Sequence, residues 1–323
     1  FAVDLPGNES DWSITGKFTI DTTDHCYYGP EKPILQSPSN GAIDVSLTPV
    51  LTIQKLMQTP VCNYPLKTRW RISKDADFKG LIAKVNSESK DLDSYKISEL
   101  MLEPNTTYYW KVRFLGSQGN NSKWSNVFSF TTQPAEGDDG DDDGIIDEQE
   151  VDDSDDLDND GTPDNEQDLE IKSFRSKKGD LKFGIRSSNS DIICAKALNT
   201  ESVGDDGNKP DQVPYGLLSY RVKVPQYGTK STIKIFLSKP APKNAKWVFY
   251  DSLNGWQDFS EHVVFNDTRT EVTVEVKDGG YGDNDHTENK IIVDPSGIGM
   301  FDDSSSDTGG GGGGCFITTI APW

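Results

Sequence analysis

Residues 102–114, LEPNTTYYWKVRF, set Leu102, Pro104, Thr106, Tyr108, Trp110, Val112 and Phe114 two residues apart. Successive side chains of a strand point to opposite faces, so this spacing puts all seven on one side of a strand and its lead-in. A face built of Tyr, Trp, Val and Phe must be buried. Working outward, residues 33–133 read as one all-β unit. Further along, Tyr220, Val222 and Val224 alternate, as do Ile233, Ile235 and Leu237, and then Val272, Val274 and Val276, each run marking a half-buried strand. A second β-sandwich over residues 171–303 is the economical reading. The expected fold class is therefore all-β, two β-sandwich domains joined by whatever lies between them.

What lies between is acidic. Of the net charge of −21, nearly all belongs to one segment, since Glu136 to Glu170 holds 19 acidic residues and no Lys or Arg, leaving 34 acids against 32 bases elsewhere. That near-neutral remainder gives no reason to expect nucleic acid or an anionic membrane as partner. Nor does any apolar run approach the roughly 20 residues of a membrane span. Within residues 134–170, Asp139, Asp141, Asp143, Gly144, Ile145, Asp147 and Glu150 occupy positions 1, 3, 5, 6, 7, 9 and 12 of a calcium loop. Seventeen residues later Asp156, Asp158, Asp160, Gly161, Thr162 and Asp164 repeat the register, with Gln167 at position 12, so that Asp168 is expected to supply the last oxygen. Oxygens on alternate residues of a tightly turned loop converge on one point, glycine permits the turn, and the position 7 carbonyl of Ile145 or Thr162 completes the ring around a hard cation. Ca2+ is the expected cofactor, at the affinity of about 10⁻⁴ to 10⁻³ M typical of extracellular modules. A solvated acidic linker is the bland alternative. A further acidic loop, Asp278, Asp283 and Asp285, reads equally as a cation site and as an Asp-Gly-rich hairpin turn.

Three family resemblances rest on longer stretches. The first unit carries SPSNGAIDVSLTPVLTI, TRWRISKDADF, the L-x-P-x-T-x-Y-x-W-x-V run and a closing WSNVFSFTT. It resembles a fibronectin type III domain, which implies a spacer or binding module with Tyr108 as the tyrosine-corner residue. DLDNDGTPDNEQDL resembles a thrombospondin type 3 repeat, in which short acidic loops wrap calcium ions. PYGLLSYRVKV, KPAPKNAKWVFYDSLNGWQDFS and DGGYGDNDHTENKIIVDPSG resemble the choice-of-anchor U domain of exported bacterial surface proteins, with His286 where that family usually has glycine. The resemblance implies no enzymatic activity. In residues 304–323, Gly309 to Gly314 followed by Cys-Phe-Ile resembles a short C-terminal motif of exported bacterial proteins, behind a flexible tether.

No catalytic pattern stands out. His25, His262 and His286 lie outside any H-E-x-x-H, there is no G-x-S-x-G or phosphate-binding loop, and with 53 acids any proposed carboxylate pair is uninformative without geometry. The chain reads as a non-enzyme. Cys26, Cys62, Cys194 and Cys315 suit two disulfides and hence an oxidising compartment; of the three possible pairings Cys26 with Cys62 is favoured, leaving Cys194 with Cys315, the alternative being a Cys315 that is free or bonded between subunits. The FAVD start and four Asn-x-Ser/Thr sequons agree with a mature exported chain at the cell surface or outside the cell. Within residues 1–32, DWSITGKFTID alternates Trp12, Ile14, Phe18 and Ile20, and this extra strand, residues 10–21, is expected to pair with a sheet edge of a neighbouring copy, the alternative being that it folds back on one of its own sandwiches. The resulting expectation is an extracellular calcium-binding structural protein, a filament subunit or adhesive stalk. The other reading is a carbohydrate- or ligand-binding accessory module with a polysaccharide partner, for which Trp247, Tyr250 and Trp256 are the candidate platform, although aromatics at strand spacing in a sandwich are more often core residues.

Overall fold

The computed structural model describes residues 30–55, 65–87, 92–117, 119–167 and 170–301. The extra strand at residues 10–21, the glycine-rich tail, Asp168, Cys26, Cys62 and Cys315 lie outside the described residues.

The quoted stretch forms the centre of the first sandwich. Strands β1 (Leu35–Ser37), β3 (Val50–Ile53) and β6 (Ser94–Lys96) make one sheet in the order β1-β3-β6. Strands β2 (Ala42–Val45), β4 (Pro65–Ser73), β5 (Leu81–Ser87), β7 (Thr107–Gly116) and β8 (Phe128–Thr132) make the other in the order β2-β8-β7-β4-β5. β7 alternates as the sequence demands, with Tyr108, Trp110, Val112 and Phe114 buried. They meet Trp70 and Ile72 from β4 and Leu51 and Ile53 from β3 in a single core, and the rings of Trp70 and Trp110 stack 6.1 Å apart. Burying each such side chain stabilises the fold by about 1.5–3 kcal/mol, which is why the pattern is decisive. The expected tyrosine corner forms: the Glu103 backbone N–H donates to the Tyr108 hydroxyl at 2.8 Å.

The second sandwich packs β16 (Val263–Phe265), β17 (Glu271–Lys277), β13 (Lys230–Leu237), β10 (Lys182–Ser187) and β9 (Lys172–Arg175), in that order, against a second sheet. That sheet is ordered β11 (Asp191–Leu198), β12 (Leu217–Lys223), β18 (Ile291–Gly299), β14 (Lys246–Asp251) and β15 (Gly255–Asp258). The three alternating runs are its strands, with Tyr220, Val222, Ile233, Ile235, Val272, Val274 and Val276 sharing one core.

One open reading is decided and one expectation corrected. Trp247 and Trp256 are 0% and 1% exposed and Tyr250 is buried, so none of them is a surface platform; aromatic area this large is worth more inside the sandwich. Cys194 is a free thiol rather than half of a disulfide. It pairs with Arg221 across β11 and β12 at a bulge, and burial pushes its thiol up to about 11.

The sandwiches also touch directly rather than meeting only through the acidic segment. Arg221 pairs with Glu103 at 2.7 Å and Lys196 with Glu99 at 2.6 Å. The Lys84 N–H donates to Thr287 Oγ1 at 2.7 Å, and Asn289 Nδ2 donates to the Ile82 carbonyl at 2.9 Å.

Candidate metal-binding loops

The two acidic stretches fold into the same loop twice. In the first, the Asp143 N–H donates to Asp139 Oδ1 at 3.1 Å and to Asp141 Oδ1 at 3.3 Å, and the Gly144 N–H to Asp139 Oδ2 at 3.1 Å. In the second, the Asp160 N–H donates to Asp156 Oδ1 at 3.1 Å and Asp158 Oδ1 at 3.3 Å, and the Gly161 N–H to Asp156 Oδ2 at 3.0 Å. Ile145 and Thr162 each donate to the carboxylate two residues back, at 2.7 and 2.9 Å. Asp142 and Asn159 share a left-handed φ of 59° and 56°, and Gly144 and Gly161 one of 92° and 94°. Asp and Asn tolerate that region better than other side-chain-bearing residues do, and glycine adopts it freely. Each loop then enters a short 3-10 turn, Asp147–Gln149 or Asp164–Glu166. The position 9 carboxylate accepts the position 2 N–H, Gly140 to Asp147 at 2.7 Å and Leu157 to Asp164 at 3.1 Å.

The carboxylates converge as alternate spacing requires, but not identically. Asp139, Asp141 and Asp143 gather tightly enough to hold a metal ion. Glu150 lies close enough for the charges of Asp141, Asp147, Asp143 and Asp139 to raise its carboxyl, after burial as the main cause. In the second loop the gathered set is Asp156, Asp158 and Asp164. Asp160, an expected ligand, is instead held by the Thr162 N–H and by Gln167 Nε2 at 3.0 Å, and the same amide reaches the Thr162 carbonyl at 3.3 Å. The amide at position 12 thus occupies the two oxygens that an acidic residue would leave for a cation. Asp164 replaces Asp160 because the 3-10 turn buries it beside the loop, where Ser173 Oγ donates to it at 2.5 Å.

The segment docks on the second sandwich. Ile145 is fully buried in that core, the Ala195 N–H donates to the Gly144 carbonyl at 3.2 Å, and Glu150 bridges to Phe174. Four cations from β9 and β10 face it. Lys172 pairs with Asp143 at 3.2 Å, Arg175 with Asp152 at 2.6 Å, Lys182 with Asp155 at 2.6 Å, and Arg186 with Asp158 at 2.7 Å. Burial is the first cause that raises the carboxyls of Asp139, Asp158 and Asp164, with neighbouring carboxylates adding to it. Such crowding is relieved by a proton or a metal ion. Sequence reasoning missed the four basic partners, although KSFR and KFGIR space them along adjacent strands.

The third acidic loop behaves differently. Asp278, Asp283 and Asp285 are buried, and backbone N–H groups satisfy them: Gly228 and Lys290 donate to Asp278, Gly279 and Val293 to Asp283, and Thr287 to Asp285. Their oxygens organise the turn.

Comparison with known proteins bears on the first sandwich. Residues 68–135, about a fifth of the chain, match the family model of the Rha78A-like N-terminal immunoglobulin domain. With the fold described above, they belong to an immunoglobulin/fibronectin type III-like β domain. No curated protein matches. Solved structures with some likeness include alpha-L-rhamnosidase from Dictyoglumus thermophilum, 14% identical at a TM-score of 0.25, covering 76% of this chain and 24% of that one. The FN1-FN3 domains of chicken CNTN1 are 9% identical at a TM-score of 0.27, covering 85% and 56%. Streptomyces avermitilis alpha-L-rhamnosidase complexed with L-rhamnose is 13% identical at 0.24, covering 82% and 23%. The chain thus spans about a quarter of either rhamnosidase, and scores this low carry no argument about function. Among the described residues no helix is long and apolar enough to cross a membrane.

Proposed function

We propose that the chain is a non-catalytic, extracellular structural protein in which the tandem acidic loops bind Ca2+ and clamp the segment onto the second sandwich. The observation that supports this most is the recurrence, seventeen residues apart, of one hydrogen-bonded loop whose carboxylates converge. A solvated linker has no need to build the same turn twice. The resemblances to thrombospondin type 3 repeats and to choice-of-anchor U domains agree with a role at the bacterial surface, as filament subunit or stalk. Self-association through residues 10–21 is part of the same reading. Isothermal titration of chelator-treated protein with CaCl2 tests it. Saturable binding at about 10⁻⁴ to 10⁻³ M, lost in Asp141→Asn with Asp158→Asn, is expected; no heat, or binding unchanged in the double variant, overturns it.

A second reading is favoured by the match of residues 68–135 to a rhamnosidase-type immunoglobulin domain. On it, the first sandwich is an accessory module beside carbohydrate-active machinery. Because Trp247, Tyr250 and Trp256 are buried, glycan binding would have to use another face. A glycan array with the full chain separates this reading from the structural one.

A further inference from the structure

The outer face of the first sandwich gathers positive charges on three adjacent strands. Strands β4, β5 and β7 contain no acidic residue at all. Their register sets Lys84, Arg71 and Lys111 in one row across three strands, and Arg69 opposite Arg113 in the next. Like charges directly opposite each other destabilise a sheet. In the second sandwich, by contrast, many strand cations are paired: Lys172, Arg175, Lys182, Arg186, Lys196, Arg221, Lys230, Lys234 and Lys246 each meet a carboxylate. Among the described residues, Arg69, Arg71, Lys84, Lys111 and Arg113 meet none.

Aromatic rings hold this face in place. The Arg71 and Arg113 guanidinium carbons each lie 4.8 Å from the Trp124 ring centroid. Lys111 Nζ sits 3.7 Å from the centroid of Phe78 and 5.3 Å from that of Trp124. Stacking fixes the side chains at low entropic cost while leaving their positive charge uncancelled. The charges felt by Arg71, Lys111 and Arg113 are those of one another and of Arg69, which lower all three after burial has done so.

The complementary surface is on the same chain. β9 and β10 neutralise the inner side of the acidic segment, which leaves Glu136, Asp138, Asp142, Glu148, Asp153 and Glu166 exposed on its outer side. We propose that the cationic face of β4, β5 and β7 docks the exposed acidic side of residues 136–167 of a second copy of this chain. Net repulsion between two copies at −21 is screened beyond roughly 10 Å at 0.1 M salt, so the local match decides the contact. The two surfaces differ, which makes the contact heterologous, and copies would add head to tail without closing. Nothing here requires metal in the loops, so this inference and the calcium reading fail separately.

Sedimentation velocity of the full chain, in chelator and again in calcium, tests it. Association is expected at about 50 mM NaCl and at least tenfold weaker at about 0.5 M. Arg71→Glu with Lys111→Glu, and separately Glu136→Lys with Asp138→Lys and Glu148→Lys, should each weaken self-association by about tenfold or more, while their mixture associates with each other. Arg71→Gln with Lys111→Gln, checked for an unchanged melting curve, covers the case in which charge reversal disturbs the sandwich. A wild-type monomer at about 100 μM in low salt overturns the proposal. So does association indifferent to these substitutions, or heparin binding lost with Arg71 and Lys111 while reversal of the acidic side changes nothing.

Discussion

Gly144 and Gly161 have nearly the same left-handed φ, yet they stand in different places. A Cβ added at Gly144 would collide with the Ile193 carbonyl oxygen and lie 2.9 Å from the Cys194 Cα, whereas one added at Gly161 would meet nothing within 4 Å. The first loop is pressed onto β11, with Ile145 anchored in the core and Glu150 near enough to feel the charges of its carboxylates. The second keeps the same turn on a looser footing, and Gln167 fills the place of its last acid. One local code, written twice, thus yields one site that is part of a domain and one that rests beside it.

The largest expected difference comes from the glycines. Gly144→Ala combines backbone strain with an immovable clash and should destabilise the second sandwich by about 3 kcal/mol or more, against about 1 kcal/mol for Gly161→Ala, where only the φ is unfavourable. Urea denaturation of both variants measures this, and equal losses would break the distinction between the loops.

Next in size are the ligands. Asp141→Asn should cost the tighter site at least tenfold in calcium affinity, about 1.4 kcal/mol, whereas Asp158→Asn should affect only the weaker one. Gln167→Glu should bring the second site toward the first by restoring an acidic position 12. Two-site titration calorimetry reads all three, and a Gln167→Glu variant that binds no better would show that footing, not the twelfth ligand, sets the gap.

The pH dependence is subtler. Burial raises the carboxyls of Asp139, Glu150, Asp158 and Asp164 in the metal-free fold. A raised carboxyl binds its proton more tightly when folded. Its stabilising contribution is therefore complete below the ordinary carboxylate range and disappears as pH rises through the raised value. In chelator, proteolysis between Gln133 and Lys172 should accordingly slow as pH falls from 7 toward 5. In calcium the trend should reverse, because protons displace the metal. The pairs of Asp152 with Arg175 and Lys182 work the other way and limit the size of the effect.

The internal cations complete the comparison. Lys172→Gln and Arg186→Gln leave the carboxylates of Asp143 and Asp158, 12% and 1% exposed, without their partners, and each should lower stability in chelator by about 1 kcal/mol or more. Both should raise calcium affinity slightly by removing a competing charge, as titration would show.

The strands were legible because burial imposes a period of two on any half-buried strand, and Tyr108, Trp110, Val112 and Phe114 obey it without exception. The loops were legible because their hydrogen bonds are local, each spanning two to seven residues. What escaped depends on residues far apart in sequence. Asp158 meets Arg186 and Glu103 meets Arg221 only because two sheets bring them there. Counting charges over the whole remainder averaged away the cationic face, since Arg69, Arg71, Lys111 and Arg113 are offset by acids elsewhere. Trp256 shows the opposite failure: an aromatic next to a turn looks the same in sequence whether it points at solvent or, as here, donates its Nε1 hydrogen to the Gly204 carbonyl in a buried layer.

Cys194 lies where the parts of the molecule come together. It sits beneath Gly144, opposite Arg221 on β12, and within electrostatic reach of Glu103 from the first sandwich and Asp139 from the first loop. Cys194 is partly exposed, and a thiol pushed up to about 11 reacts slowly with maleimide or iodoacetamide, so its labelling rate responds to how far loop and sandwiches part. The labelling rate of Cys194, followed by peptide mass, is thus a stopwatch placed by the fold itself, and it should run slower each time calcium closes the seam above it.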